Sequence, residues 1–253
     1  SPAVFLAVPI SMMLGGRSGA AVGMLYRHVE ALCAANADFG VIDDRSLHLL
    51  PDSARLVIYP IPFARPEAAY DRLRRFVEDG GTLCVSGDVS YDALRRRTRT
   101  DRLEELCGVR FVSENYPDTN WPDESTRCIE VEPTTAVQRE PDVFVRRAGL
   151  GTVWYSPAPL FSADGFSRFL FSEALEDLGA SGTAQVERID AGGNLPVHAF
   201  RIPEVDGALT LILINPTDSG CVVRILEPGR NKVEIGLGPG ETGLARWNAV
   251  GEL

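Results

Sequence analysis

Short β-rich runs alternate with helical patterns from the start of the chain to about residue 182. The predicted strands are Val4 to Val8, Phe39 to Ile42, Leu56 to Tyr59, Thr82 to Ser86, Val109 to Val112, Cys128 to Val131 and Thr152 to Tyr155. Apolar residues recur at helical spacing between several of these runs, as in Leu73, Phe76 and Val77, which precede a Gly80-Gly81 stop. This order is typical of an open, mostly parallel sheet with crossover helices. We therefore predict an α/β domain over residues 1–182.

The pattern of apolar residues changes after the "GASGT" segment at residues 179–183, where helical periodicity ends. The β-like runs that follow are Leu209 to Ile214, Cys221 to Leu226, Lys232 to Leu237 and Thr242 to Trp247. Turn clusters rich in glycine, proline and asparagine separate them, which favours hairpins. We predict a small all-β sandwich domain over residues 183–253, with a last helix of the first domain at Gly165 to Leu178.

Charge and cysteine content narrow the classes of partner. The chain has 253 residues, 25 basic and 35 acidic, for a net charge of -10. Such a charge repels phosphate backbones and anionic membranes, so we expect neither nucleic acid nor a membrane as partner. The five cysteines are widely spaced and show no zinc-type pairing, which predicts reduced thiols of a cytoplasmic protein and no metal. No export or membrane signal is visible, and a first residue other than Met leads us to expect a fragment of a longer protein.

The segment "GGTLCVSGD" at residues 80–88 poses the main chemical question, because Cys84 lies near a strand-to-helix turn. A nucleophile elbow would place the reactive residue on the turn, which falls here on Gly87. Cys84 sits three residues earlier, inside the predicted strand, where burial disfavours a thiolate. We therefore assign Cys84 to the core and predict no catalytic residue. An exposed nucleophile at this edge would have to be Ser86.

Two other clusters are candidates for binding. Arginines crowd the stretch after the fourth strand at Arg95, Arg96, Arg97, Arg99 and Arg102. Because ligands of open α/β sheets often bind near this edge, the cluster is a possible anion or interface patch. A solvated helix or loop and a contact to an acidic neighbouring subunit are the alternatives. The glycine-rich "LGGRSGAAVG" segment at residues 14–23 lacks a phosphate-loop pattern, so we expect no cofactor.

The loop "NYPDTNWPDES" at residues 115–125 combines two aromatic rings with carboxylates. Aromatic faces and hydroxyl acceptors are what sugars favour, so Tyr116, Asp118, Trp121 and Asp123 are possible sugar contacts. A hydrated surface loop with one anchoring Trp is the alternative interpretation. Adjacent loop acids do not supply the fixed separation across a cleft that glycoside cleavage needs.

Three segments carry a resemblance to a known family: "YRHVEALCAANADFGVIDD", "ARLVIYPIPFARPEAAYDRLRRFVEDGGTLCVSGD" and "DRLEELCGV". Together they resemble the β-galactosidase trimerisation domain of glycoside hydrolase family 42, and the "LILINPTD" tail is similar to the small β-domain that follows it. The resemblance implies a flavodoxin-like or amidotransferase-like fold that has lost its nucleophile, beside a catalytic barrel supplied by other residues. It also implies a homo-oligomer, in that family a trimer.

Three hypotheses of function follow. The first is a noncatalytic accessory and oligomerisation fragment of a β-galactosidase-like glycoside hydrolase, which meets carbohydrate only through the parent enzyme. The second is a stand-alone enzyme of the amidotransferase-like superfamily, which requires an exposed nucleophile near residues 86 to 88. The third is a carbohydrate-binding module centred on the Trp121 loop.

Overall fold

A computed structural model of the 253-residue chain describes residues 2–10, 18–34, 37–60, 67–92, 94, 96–114, 129–140, 143–157, 185–190 and 197–253. Its contacts divide the chain into two compact units. The first unit is Ser1–Val29 with Phe39–Ala174, and the second is Glu30–Asp38 with Leu175–Leu253.

A seven-stranded sheet forms the centre of the first unit. The strands of this unit are β1 (Val4–Val8), β2 (Phe39–Asp43), β3 (Leu56–Tyr59), β4 (Thr82–Ser86), β5 (Val109–Glu114), β6 (Ile129–Pro133), β7 (Val137–Glu140), β8 (Val143–Ala148) and β9 (Gly151–Ser156). The sheet order is β2-β1-β3-β4-β9-β8-β7. Pairing is parallel from β2 to β9 and antiparallel for β8 and β7. The predicted mostly parallel sheet is therefore confirmed.

The inner strands of this sheet are buried on both faces. Every residue of β3, β4 and β9 is buried, as expected for parallel strands covered from two sides. Two helices lie between the parallel strands in the chain, α1 (Ser18–Ala34) after β1 and α2 (Glu67–Glu78) after β3. Both occupy segments where the apolar spacing predicts a helix.

Helix α2 covers one face of the sheet. Its buried residues are Ala69, Tyr70, Leu73, Phe76 and Val77, which recur at helical spacing on one side. They share a core with Val57, Leu83 and Val153 from the three central strands. The start of β9 lies close to the end of this helix. A Cβ atom at position 151 would lie 2.3 Å from the Val77 carbonyl oxygen, so this approach requires Gly151.

The segment between β4 and β5 ends in a short π-helical turn at Leu103–Cys107, which buries Leu103, Leu106 and Cys107. Gly108 ends this turn with φ of 69°, a left-handed conformation that glycine adopts without strain. Strand β5 then pairs antiparallel with β6 in a separate two-stranded sheet. Cys107 is fully buried within this turn.

The second unit holds two small antiparallel sheets. Its strands are β10 (Gln185–Arg188), β11 (His198–Pro203), β12 (Leu209–Ile214), β13 (Cys221–Leu226), β14 (Val233–Leu237) and β15 (Thr242–Trp247). One sheet has the order β10-β13-β14 and the other β11-β12-β15. Side chains of both sheets meet in one apolar core, with Leu211 and Trp247 from one and Val223 and Leu237 from the other.

The fold thus combines a mixed α/β unit with small antiparallel sheets, as the sequence predicts in outline. Strands β7, β8, β10 and β11 were not among the predicted elements. The predicted helix at Gly165 to Leu178 and the boundary at residue 182 lie outside the described residues, so the division into 1–182 and 183–253 stays a prediction. Within the described ranges, no helix combines the length and apolar character needed to cross a bilayer.

Candidate functional site

The turn after β4 is the place where an open α/β sheet of this kind presents a reactive residue. Ser86 closes β4, and Gly87 follows in a left-handed conformation with φ of 79°. The Gly87 N–H donates to the Ser156 carbonyl at 2.8 Å, and its own carbonyl accepts from the Tyr155 hydroxyl at 3.0 Å. The turn position is therefore fixed on both sides and carries no side chain.

Cys84 lies inside β4, as the sequence predicts. It pairs in register with Ile58 on β3 and Trp154 on β9, and its side chain is fully buried. Burial raises the pKa of the Cys84 thiol far above its ordinary value. The thiolate is disfavoured and the side chain is not exposed to solvent, so Cys84 serves packing.

Ser86 and Asp88 flank the turn and are both fully buried. Asp88 Oδ1 accepts from the Ser90 N–H at 2.9 Å and from the Ser90 hydroxyl at 2.5 Å. The side chain of Asp88 thus closes a local Asx-type turn over the end of the strand. Neither flanking residue is exposed enough to meet a substrate above the sheet.

Arg97, nine residues after Asp88, contacts the same turn. Its Nη2 and Nε atoms both donate to Asp88 Oδ2, at 2.7 and 3.1 Å, in an ion pair whose side chains are 10% and 0% exposed. The guanidinium carbon also lies 5.1 Å from the centre of the Tyr91 ring and 4.9 Å from that of Phe111. At the end of β4, a paired cation therefore lies close to two aromatic rings.

Arg102 forms a second buried contact beside the first. Its side chain is fully buried, pairs with Glu67 at the start of α2 and lies 4.6 Å from the centre of the Tyr70 ring. A further N–H of Arg102 donates to the Tyr91 carbonyl at 3.1 Å. Burial lowers the pKa of the Arg102 guanidinium, and Glu67 opposes this shift. Helix α2 and the loop after β4 are tied together through this arginine.

The remaining predicted arginines pair with acids at the surface. Arg99 contacts both Glu67 and Asp101, and Arg96 contacts Asp92 at 3.0 Å. Arg95 lies outside the described residues. The structure thus brings Arg97, Arg99 and Arg102 together, but around carboxylates of the same chain. The solvated interpretation of this stretch is wrong for Arg97 and Arg102, because sequence proximity cannot show that Asp88 and Glu67 fold back on them.

The predicted sugar contacts Tyr116, Asp118, Trp121 and Asp123 lie outside the described residues, and their role stays a prediction. Asp43 caps the turn after β2. Its carboxylate accepts from the N–H groups of Arg45 and Ser46 at 2.8 and 3.0 Å. Among the described residues, no group of three or more His, Cys, Asp and Glu side chains is placed to hold a metal ion.

The sequence interpretation missed Asp88, Glu67 and Tyr91, which complete this edge. For Asp88, the "SGD" turn directly after a buried strand was an available signal, since a buried carboxylate at that position needs a hydrogen-bond or ion-pair partner. Glu67 carries no such signal, because it lies 35 residues before Arg102 and meets it only through the fold.

Comparisons with known proteins show which solved structures this fold is similar to. No family model matches the sequence, and no curated protein matches it. Among solved structures, the chain is similar to Gan42B, a GH42 β-galactosidase from G. stearothermophilus, with a TM-score of 0.73 and 18% identity. The match covers 98% of this chain and 40% of that one.

Two further β-galactosidases give the same result. The cold-adapted enzyme from Rahnella sp. R3 matches with a TM-score of 0.73 and 15% identity over 98% of this chain and 41% of that one. The enzyme from Bacillus circulans sp. alkalophilus matches with a TM-score of 0.71 and 15% identity, over 97% of this chain and 41% of that one. The chain spans about 40% of the length of the β-galactosidases it matches. Nearly the whole of this chain is therefore similar in fold to one part of each of these GH42 β-galactosidase structures.

Proposed function

We propose that this chain is a noncatalytic accessory region of a β-galactosidase-like glycoside hydrolase and that it takes part in subunit assembly. The observation that carries the proposal is the turn after β4, where Gly87 occupies the place of a nucleophile and offers no side chain. The likeness in fold to about 40% of several GH42 β-galactosidases supports the choice of parent enzyme.

The rival enzyme hypothesis needs an exposed nucleophile at the same edge. Ser86 and Asp88 are fully buried, and Cys84 faces the interior of the sheet. The Asp88 carboxylate beside the turn is paired with the Arg97 guanidinium. These contacts favour a structural role for this edge over an amidotransferase-like active site. Our proposal keeps the amidotransferase-like fold for the sheet but not the activity.

The remaining parts of the proposal concern partners. The catalytic barrel would be supplied by other residues of the parent enzyme, which would act on carbohydrate in the cytoplasm. The chain itself would form a homo-oligomer, a trimer by its resemblance to the trimerisation domain. The two small sheets of the second unit, which share one apolar core, would form the predicted β-sandwich. Tyr116, Asp118, Trp121 and Asp123 would border a neighbour's sugar site.

Sedimentation equilibrium of the purified chain, and of the longer polypeptide that contains it, tests the assembly role. We expect more than one subunit for both at high concentration, with weaker association of the shorter chain because fewer contacts remain. A strictly monomeric state of both samples across the concentration range would refute the assembly role.

A further inference from the structure

The two sheets of the second unit carry different side chains on the faces that point away from their common core. On the β10-β13-β14 sheet, Glu187, Arg224 and Glu234 are aligned in register across the outer face. The Arg224 guanidinium lies 3.9 Å from the Glu187 carboxylate and 3.1 Å from that of Glu234. This face has the charged composition that is usual where an antiparallel sheet meets water.

The corresponding row on the β11-β12-β15 sheet is apolar. Phe200, Ile212 and Leu244 are aligned in register across its three strands, and Phe200 is 40% and Leu244 67% exposed. Ile202 and Ile214 lie two residues further along their strands on the same face, and Ile202 is 44% exposed. Aligned side chains on neighbouring strands are close enough to touch. These five residues therefore form one contiguous apolar patch.

The core of the second unit does not account for the apolar patch. The inner faces of β12 and β15 already supply that core with their own side chains, Leu211, Leu213, Ala245 and Trp247. Polar residues border the patch on the outer face: His198, Thr210, Thr242 and Arg246. An apolar centre with a polar rim is the composition of an interaction surface.

The size of the apolar patch limits what it can hold. Three strands about 4.8 Å apart, with outward residues about 7 Å apart along each, give an area on the order of 300 Å². A stable complex of separate molecules buries about 800 Å² on each partner. A neighbour on the same polypeptide needs less contact, because the chain connection keeps it at a high effective concentration. The patch therefore fits a covalently connected neighbour better than a second copy of the chain.

We propose that the apolar patch packs against another domain of the parent polypeptide, through an aliphatic surface of that domain. The inference rests on the proposed function, in which a longer glycoside hydrolase supplies further residues. The length of the matched β-galactosidases supports this occupant, because this chain spans only about 40% of each of them.

Thiol labelling tests whether the apolar patch is covered. Leu244→Cys places a reactive group on the patch, and its rate of reaction with a maleimide is compared between the 253-residue chain and the longer polypeptide. We expect the rate to be lower in the longer polypeptide by about tenfold or more, because labelling then requires the contact to open. Cys84, Cys107 and Cys221 are buried, and the reaction of each unaltered polypeptide is subtracted as background.

Val222 provides the matched control. It is 38% exposed on the outer face of β13, the central strand of the other sheet. Val222→Cys should react at the same rate in both polypeptides. Ile202→Cys is a second site within the patch on a different strand, so it should show the same slowing as Leu244→Cys even if one substitution disturbs β15.

Three results would overturn the inference. The first is an equal rate in both polypeptides for Leu244→Cys and Ile202→Cys. The second is equal slowing at Val222→Cys, which would mean that the whole unit is shielded. The third is slowing in the 253-residue chain that grows with its concentration, which would make a second copy the occupant. Labelling requires neither activity nor association, so each of these results leaves the assembly role to be judged by sedimentation alone.

Discussion

The carboxyl edge of the large sheet and the core of the second unit are held together by different kinds of side chain. At the edge, Asp88 and Arg102 are buried, Arg97 is 10% exposed, and both arginines lie over aromatic rings. In the second unit, leucines, valines and Trp247 from two small sheets form an apolar core. The ion pair of Arg246 with Glu204 lies at its surface, and Arg201 pairs with the buried carboxylate of Glu227.

The charged side chains at the edge of the first unit lie where a ligand-binding site would be expected. Open α/β sheets bind ligands beyond the carboxyl ends of their strands. Here Arg97 pairs with the buried Asp88 carboxylate at that edge, and removing one partner of a buried ion pair is strongly destabilising. The side chains at this edge are charged, as in a binding site, but largely buried, as in a core. Its residues should therefore respond to substitution in stability, with no direct role in chemistry.

The largest effect is expected at the edge. Asp88→Asn leaves the Arg97 guanidinium buried without its countercharge, so the free energy of unfolding should fall by about 3 to 5 kcal/mol. Urea denaturation followed by circular dichroism measures this change. Adding Arg97→Met to the same chain should recover part of the loss, because both charges are then absent. A loss that stays the same in the double variant would show that the pair is not the cause.

A smaller loss is expected in the apolar core of the second unit. Leu211 is 1% exposed on β12 within that core. Leu211→Ala should lower the free energy of unfolding by about 3 kcal/mol through lost burial and a remaining cavity. The neighbouring Ile212 points to the opposite face of β12, so Ile212→Ala is the control and should cost less. Equal losses at the two positions would contradict the assignment of faces.

Cys84 distinguishes a packing thiol from a nucleophile. Cys84→Ala should cost on the order of 1 kcal/mol in stability, because a small buried side chain is lost from β4. The activity of the parent enzyme should remain within about threefold of its original value, since a desolvated thiol at this position is not the reactive group. A collapse of turnover with an unaltered melting temperature would reverse the assignment.

The smallest effect is expected at the surface of the second unit. Arg246 contacts Glu204 at 2.6 Å, but its side chain is 63% exposed. Water and salt screen such a pair, so Arg246→Ala should leave the urea midpoint within experimental scatter. A shift as large as that of Leu211→Ala would mean that charge pairs, and not the apolar core, hold this unit together.

The sequence predicts elements better than it predicts contacts between them. Helix α2 was predictable because Leu73, Phe76 and Val77 recur at helical spacing before a glycine stop. Strand β7 was missed because its short "VQRE" segment has no run of apolar residues. Its position at the sheet edge depends on pairing with β8, which is a nonlocal property.

The candidate site shows the same limit. The sequence places Cys84 inside a strand and Gly87 on the turn, and both positions are as predicted. The arginine cluster is visible in the sequence, but its burial is not. Arg102 becomes a core residue only because Glu67 and Tyr70 on α2 reach it across the fold. Local composition therefore predicted a solvated or ligand-binding patch where the folded chain neutralises its own charges.

The most direct test of the central claim is an assay of the purified 253-residue chain with glutamine and, separately, with a nitrophenyl β-galactoside. The account predicts no turnover of either compound above the protein-free blank, because the turn after β4 carries no side chain and its neighbours are buried. A Ser86→Ala variant run in parallel should give the same blank. Turnover by the unaltered chain that disappears in Ser86→Ala would contradict the account and make this edge an active site.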